Sequence, residues 1–250
     1  MKRLAPYLGF IFVVACTASE LTPIATDSPS ATPNPTATVI WFPPTNTPQP
    51  VATIIPSPTL DLRPGQGEII FQDDFDEEGT WSLVSGSTGS VGVMNNRLIL
   101  ALSQPKTFLF STRTTPILGD FYLEITASAS LCRGADEYGL LVRVTAELEY
   151  YRFSLSCDGR ARVDRFFNGQ VSSVVTWTSN GVIPTTVPSS VRLGVWALEE
   201  DVRFFVNDQY LFSVRDTILY AGALGAFVRT VGETPVTVSF NELVVRAIER

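Results

Sequence analysis

The sequence from Glu149 to Trp177 reads EYYRFSLSCDGRARVDRFFNGQVSSVVTW, and it decides the class of fold. Apolar side chains recur at alternate positions in much of it, and the dipeptides Asp158-Gly159 and Asn168-Gly169 interrupt the alternation. A period of two indicates strands with one buried face, and Asx-Gly supplies the positive φ that two-residue hairpin turns need. The stretch therefore predicts three consecutive antiparallel strands, over residues 149–156, 160–167 and 170–177.

The same alternation of apolar and polar residues continues on both sides of this stretch. Phe121, Leu123 and Ile125 alternate with Tyr, Glu and Thr. Further strands are predicted over residues 190–197, 202–206 and 209–214, the last two joined by an Asn207-Asp208 turn. Roughly a dozen short strands in one domain favour a sandwich of two antiparallel sheets. We therefore predict an all-β domain over residues 66–250.

The first sixteen residues have the pattern of an export signal. Lys2 and Arg3 precede an apolar run that is too short to cross a ~30 Å hydrocarbon core as a helix. The run ends Val13-Val14-Ala15-Cys16, which resembles the lipobox of bacterial lipoproteins. The resemblance implies removal of a signal peptide over residues 1–15 and a lipid on Cys16. It also implies that the membrane is a partner and that the chain lies on the extracytoplasmic face of the cell envelope.

Residues 16–65 have a different composition from the rest of the chain. Eleven of the 17 prolines lie here, interleaved with Thr and Ser and with few charges. Proline lacks an amide donor and biases the preceding residue away from helix. The scattered apolar residues are too few to form a core. We predict a disordered, lipid-anchored Thr/Pro/Ser-rich stalk.

The composition excludes several classes of function. The chain contains no histidine, so Ser-His-Asp and Cys-His catalysis are excluded, together with zinc sites that use imidazole. The formal net charge is -7, and the only lysines are Lys2 and Lys106. We predict no nucleic-acid partner, because phosphate binding needs clustered cations.

Five segments of the predicted domain follow a pattern known from another group of proteins. They are FQDDF (71–75), GDFYLEI (119–125), EYGLLVRV (137–144), EYYRFS (149–154) and VRFFVNDQYLFSVRD (202–216). Together they resemble the concanavalin A-like lectin/glucanase superfamily, particularly its laminin G-like and 3-keto-disaccharide hydrolase-like branches. The resemblance implies a jelly-roll sandwich in which one sheet has a concave outer face that binds glycans.

The outward register of the predicted strands carries arginines and aromatic residues. Aromatic rings stack on the CH faces of pyranose rings, and guanidinium groups bridge hydroxyls or carboxylates. We expect one outer face to contact saccharide through Arg143, Tyr150, Arg152, Trp196, Arg203 and Phe205. The same register places Leu140, Val142 and Val144 in the core. The alternative is that these arginines lie over aromatic rings on a solvated sheet and bind no ligand.

Three functions are compatible with such a domain. The first is non-catalytic binding of a carbohydrate or of a glycosylated envelope component. The second is a glycoside-processing enzyme of the 3-keto-disaccharide hydrolase type, and the third is a structural or protein-interaction module. The E-x-D-x-x-E motif of laminarinase-type glucanases is missing, although folding could bring Glu137 and Asp164 together as a carboxyl pair.

Two cysteines remain if Cys16 carries a lipid. Cys132 and Cys157 are then the only intramolecular pair, and export favours their oxidation to a disulfide. The alternative is two buried free thiols.

A structural Ca²⁺ ion is the one cofactor that the sequence suggests. Hard cations prefer oxygen ligands, and such ligands stand near both ends of the predicted domain. The candidate ligands are Asp73, Asp74, Asp76, Asn241 and Glu242. They would meet if the first and last strands pair, and the alternative is that they form Asx turns and solvated strand ends.

Overall fold

The computed structural model describes residues 60–76, 79–232 and 235–249. The predicted signal peptide, the lipidation site Cys16 and the predicted stalk as far as residue 59 lie outside these ranges. Within them there is no helix, and therefore none that is long and apolar enough to cross a membrane.

The described residues form fifteen strands, numbered in chain order. They are β1 (Gln66–Asp73), β2 (Val84–Ser85), β3 (Gly89–Val93), β4 (Leu98–Leu102), β5 (Phe108–Leu118), β6 (Phe121–Leu131), β7 (Glu137–Val144), β8 (Tyr150–Ser156), β9 (Arg160–Phe167), β10 (Gln170–Ser179), β11 (Ser189–Leu198), β12 (Asp201–Val206), β13 (Gln209–Arg215), β14 (Gly222–Arg229) and β15 (Val236–Ile248).

These strands form two antiparallel sheets. The nine-stranded sheet has the order β13-β12-β11-β6-β15-β4-β3-β2, and β1 pairs with β15. The six-stranded sheet has the order β10-β9-β8-β7-β14-β5. The first and last strands pair as expected, with Asp73 opposite Leu243. The prediction of an all-β sandwich of two antiparallel sheets is confirmed.

The alternating segments form strands close to their predicted bounds. β9 matches the prediction, β8 begins one residue later than expected, at Tyr150, and β10 extends to Ser179. Strands β8, β9 and β10 are neighbours in the six-stranded sheet, and β11, β12 and β13 are neighbours in the nine-stranded sheet. Short turns join antiparallel neighbours, so each run of three strands stays in one sheet.

Two of the tight turns have the backbone that their sequences predict. Asn168 (φ 49°) and Gly169 (φ 69°) connect β9 with β10, and Asn207 (φ 49°) and Asp208 (φ 64°) connect β12 with β13. Positive φ at both central residues matches the right-handed twist of the flanking strands. Asn, Asp and Gly tolerate this conformation better than other residues.

A large apolar core lies between the two sheets. Tyr151, Phe153 and Leu155 point into it from β8, and Phe204 and Val206 point into it from β12. The rings of Phe153 and Phe204, one from each sheet, have centroids 4.8 Å apart. Full burial of side chains of this size stabilises the fold by roughly 1.5–3 kcal/mol each. The inward register predicted for these strands is confirmed.

A disulfide connects Cys132 with Cys157, with the Cα atoms 5.7 Å apart. Cys132 follows β6 of the nine-stranded sheet and Cys157 follows β8 of the six-stranded sheet, so the bond joins the two sheets. In the chain-entropy treatment, a loop of this length stabilises the fold by roughly 3 kcal/mol. The predicted pairing is confirmed, and the free-thiol alternative is wrong.

Candidate functional site

The six residues expected to contact saccharide do not share one face of the sandwich. They belong to strands of different sheets. Arg143, Tyr150 and Arg152 lie on β7 and β8 of the six-stranded sheet. Trp196, Arg203 and Phe205 lie on β11 and β12 of the nine-stranded sheet. The expectation of a single outer face is wrong, because a period of two distinguishes inward from outward and does not assign a strand to a sheet.

The outer face of the nine-stranded sheet carries an aromatic cluster that the chain itself covers. Trp196, Phe205 and Tyr122 form this cluster, and residues 62–64, here called the strap, lie over it. The indole Nε1 of Trp196 donates a hydrogen bond to the Pro64 carbonyl oxygen at 2.9 Å. Trp196 is therefore only 2 % exposed and offers no ring face to a ligand.

Two arginines fasten the strap to this sheet. Arg63 Nη1 donates to the Tyr122 hydroxyl at 2.9 Å and to Asp208 Oδ1 at 2.8 Å, and its guanidinium carbon lies 5.3 Å from the Phe205 ring centroid. Arg203 Nη1 donates to the Leu62 carbonyl oxygen at 3.0 Å, and its guanidinium stacks 4.2 Å from the centroid of the Trp196 ring. On this face the arginines lie over aromatic rings, as the cation–π alternative expected, but the strap and not solvent covers those rings.

Arg143 has a structural position at one end of the sandwich. It is buried at a β-bulge with φ 56°, where the pairing of β7 with β14 shifts register. Its guanidinium donates to the carbonyl oxygens of Leu219 at 2.8 Å, Glu199 at 2.7 Å and Gly119 at 3.3 Å. Burial lowers the pKa of Arg143, and the three carbonyls offset the cost of holding the cation away from water. Arg143 therefore connects three loops at this end of the sandwich.

The same bulge corrects the register of Val144. Leu140 and Val142 lie in the core as expected, but Val144 joins a second apolar cluster with Leu141, on the outer face of the six-stranded sheet. An extra residue in a strand reverses the side-chain alternation beyond it. Val144 was expected in the core, and that assignment is wrong.

The remaining two predicted residues, Tyr150 and Arg152, line a groove on the outer face of the six-stranded sheet. The groove has a volume of about 450 Å³, and five strands contribute to its walls. Its lining residues are Phe108, Tyr150, Arg152, Arg162, Asp164, Phe166, Val171 and Arg229. No part of the strap contributes to this lining.

Arg152 lies at the centre of the groove. Its guanidinium carbon is 4.8 Å from the ring centroid of Phe166 and 5.6 Å from those of Phe108 and Phe227. Its Nη2 donates to Asp164 Oδ2 at 2.7 Å. Asp164 lies directly opposite Arg152 in the β8–β9 pairing. Three rings and one carboxylate fix its guanidinium plane.

Two carboxylates and two further arginines continue this network. Arg162 lies between the carboxylates: its Nη2 donates to Glu137 Oε2 at 3.1 Å, and its Nε is 3.0 Å from Asp164 Oδ2. Arg229 Nη1 donates to Glu137 Oε1 at 3.0 Å. Glu137 and Asp164, the carboxyl pair considered from the sequence, both lie beside Arg162 on this face, and each forms ion pairs with arginines.

Aromatic side chains pack beside these arginines on the same face. Tyr150 stacks on Phe166 with ring centroids 4.6 Å apart and 27° between the planes. Burial raises the pKa of the Tyr150 phenol. Trp177 of β10 lies under the guanidiniums of Arg160 and Arg162, whose carbons are 5.0 and 4.5 Å from its ring centroid. The face thus combines apolar ring surface with fixed charged donors and acceptors.

Most of the residues that line the groove were not predicted from the sequence. Arg162 and Phe166 lie on the outward register of β9, and the alternation used for β8 would have identified them. Phe108 and Arg229 are different, because they reach the groove only through the position of β14 between β7 and β5. No local pattern in the sequence indicates that order of strands.

The structure does not form the expected calcium site. Asp73 is buried, and its Oδ2 accepts hydrogen bonds from Trp81 Nε1 at 3.0 Å and Arg113 Nη1 at 2.9 Å. Glu242 accepts from Thr126 Oγ1 at 2.9 Å, whereas Asp74 and Asp76 are exposed. Among the residues that the structure describes, no three acidic, histidine or cysteine side chains are grouped to hold a metal ion. The pairing of the first and last strands was predicted correctly, but the Asp73 carboxylate accepts hydrogen bonds from Arg113 and Trp81.

Comparison with known proteins supports the fold and no closer relationship. No protein-family model matches this sequence, and no curated protein is similar to it in sequence. Among solved structures, a carbohydrate-binding module from Bacillus subtilis is 15% identical, with a TM-score of 0.55 over 67% of this chain and 96% of the module. A Bacillus licheniformis β-glucanase is 12% identical, with a TM-score of 0.54 over 72% of this chain and 98% of the enzyme.

A third similar structure is a Bacillus subtilis protein of unknown function with a galectin-like fold. It is 11% identical, with a TM-score of 0.56 over 74% of this chain and 99% of that protein. Identities this low establish the fold alone. The domain is a jelly-roll β-sandwich of the concanavalin A-like and galectin-like type.

Proposed function

We propose that the groove on the six-stranded sheet binds a carbohydrate, free or as part of a glycosylated envelope component. The observation that carries this proposal is the combination of half-buried rings, Phe108 and Phe166, with the guanidinium and carboxylate groups of Arg152, Arg162 and Asp164. Saccharides present apolar CH faces and planar arrays of hydroxyls, and this groove offers complementary groups for both. The volume of about 450 Å³ lies in the range of small-molecule sites.

The similar solved structures agree with this proposal. One of them is a carbohydrate-binding module and another is a β-glucanase, so sandwiches of this kind are used in contact with glycans. Because these structures have low sequence identity with this chain, the proposal rests on the groove itself.

The groove favours binding over hydrolysis. Glycoside hydrolysis needs one carboxyl group that donates a proton and a second that acts as nucleophile or base. Glu137 accepts from both Arg162 and Arg229, and Asp164 accepts from Arg152 and Ser173. Donors of the protein itself therefore engage both carboxylates, and their role in the groove is to hold the arginines in place.

The chain carries this domain at the cell surface, in our proposal, on a stalk anchored by a lipid at Cys16. The Val13-Val14-Ala15-Cys16 sequence supports the anchor, and the proline-rich composition of residues 16–65 supports the stalk. The strap lies on the nine-stranded sheet, so the last residues of the predicted stalk do not cover the groove.

Phe166→Ala tests the proposed groove. Phe166 stacks on Tyr150 and on the Arg152 guanidinium, and we expect its removal to weaken saccharide binding by at least about tenfold, or about 1.4 kcal/mol. Binding is measured by calorimetric titration with ligands found on a glycan array. The matched control is Tyr210→Ala on β13, which removes an exposed ring from the other sheet. Equal affinities for wild type and Phe166→Ala would contradict the proposal.

A further inference from the structure

We propose that the groove selects saccharides that carry a carboxylate, such as uronic-acid-containing glycans, over neutral saccharides of the same ring and linkage. This inference rests on the proposed function, because it names the chemical class of ligand for the same groove. Its basis is the balance of charge in the groove and the burial of the charged groups.

The groove contains more cations than anions. Among the described residues, three guanidinium groups of the groove share two carboxylates: Arg152 and Arg162 share Asp164, and Arg162 and Arg229 share Glu137. The four ion pairs leave one positive charge without a matching carboxylate. A carboxylate on the ligand would complete the network.

The ionic network that carries the excess positive charge is largely buried. Asp164 and Glu137 are each 2 % exposed, and Arg152 is 5 % exposed within three aromatic rings. Charges interact more strongly in such an environment than in water, because the effective dielectric constant is lower. An incomplete ionic network of this kind is costly, and an anionic ligand relieves the cost.

Some polar atoms of the network also lack a partner. Arg152 Nε and Ser154 Oγ are buried and have no hydrogen-bond partner in the described part of the chain. Ser154 lies directly opposite Arg162 in the β8–β9 pairing, on the outward register of the sheet. Buried polar groups are normally satisfied, so unpartnered ones beside a groove indicate a ligand or ordered water.

Arg229 is the residue placed to contact the acidic group. Its side chain is 39 % exposed at the edge of the groove, and among the described residues Glu137 alone bonds to it, through Nη1. A guanidinium has five donors in a planar fork that matches a carboxylate in two parallel hydrogen bonds. A lysine would provide only a point charge at this position.

The net charge of the whole chain does not account for a preference for anionic saccharides. The formal net charge is -7, so the rest of the molecule repels anions and does not attract them at long range. An acidic glycan that binds must therefore be held by local contacts.

The test is a titration of the domain with matched pairs of oligosaccharides. The acidic probes are oligomers of galacturonic acid, of mannuronic acid and of hyaluronan, and each is paired with its carboxyl-reduced neutral form. We expect at least one acidic probe to bind about tenfold or more tightly than its neutral partner, the ratio that one charge-assisted hydrogen bond supplies. Its affinity should fall several-fold when the salt concentration rises from about 0.05 M to about 0.5 M, because salt screens charge.

Arg229→Gln should abolish the preference without unfolding the domain, because the side chain is partly exposed at the end of β14. The control Arg215→Gln makes the same change in charge on β13, where the side chain is 79 % exposed, and should keep the preference. Neutral probes that bind as tightly as the acidic ones, with loss of binding in Phe166→Ala, would overturn the charge inference and leave the proposed function intact. Failure of every acidic and neutral probe to bind would overturn both.

Discussion

Replacing Trp196 with Ala should lower the free energy of unfolding by about 3–5 kcal/mol. The indole is almost fully buried between Tyr122, Phe205 and the strap, and its Nε1 bonds to the Pro64 carbonyl oxygen. Truncation removes that bond and leaves a cavity under residues 62–64, so the strap should also lose protection from hydrogen exchange. Denaturant unfolding with the disulfide intact measures the first effect.

The same variant should bind saccharide with unchanged affinity while it is folded. Trp196 belongs to the nine-stranded sheet and the groove to the six-stranded sheet, with the core between them. Trp196→Phe is the matched control, because it keeps most of the packing and should cost about 1 kcal/mol for the lost hydrogen bond. A stable Trp196→Ala domain that no longer binds saccharide would contradict the assignment of the two faces.

Arg143→Met should destabilise the domain by at least about 3 kcal/mol, because hydrogen bonds from a charged donor contribute roughly 1.5–3 kcal/mol each and three carbonyls lose theirs. Those carbonyls belong to Gly119, Glu199 and Leu219, in loops that close one end of the sandwich. Methionine keeps the apolar part of the side chain, so the loss measures the guanidinium contacts. Thermal and denaturant unfolding give the value.

Arg192→Met is the matched control for this change. Arg192 is on β11, half exposed, and its ion pair with the half-exposed Asp208 spans 3.3 Å. Exposed pairs of this kind contribute about 0–1 kcal/mol. If Arg143→Met were no more destabilising than Arg192→Met, the role of Arg143 as the buried connector of three loops would be wrong.

The fold could be predicted from the sequence because the signals for it are local. The period of two in β8, β9 and β12 and the Asx-Gly turns concern neighbouring residues, and tertiary contacts did not override them. The Cys132–Cys157 pair followed from the number of cysteines and the expected oxidising location. Each of these features follows from a few adjacent residues or from simple counting.

Only part of the site could be predicted, because the signals for the rest are not local. Tyr150 and Trp196 have the same outward register and similar chemistry, yet one lines the groove and the other lies beneath the strap. The difference depends on which sheet each strand joins and on residues 62–64, more than 130 positions before Trp196 in the chain. The bulge at Arg143 has no sequence signal either, and it moved Val144 from the core to the outer face.

The most direct test of the central claim is the location of a bound saccharide on the domain. Amide chemical-shift mapping with the tightest oligosaccharide from the titrations provides it, since every strand contributes reporters. We expect the largest shifts on β8, β9 and β14, around Arg152, Arg162 and Arg229, with the strap and Trp196 unaffected. Shifts concentrated on the nine-stranded sheet or at the ends of the sandwich would contradict the assignment of the groove.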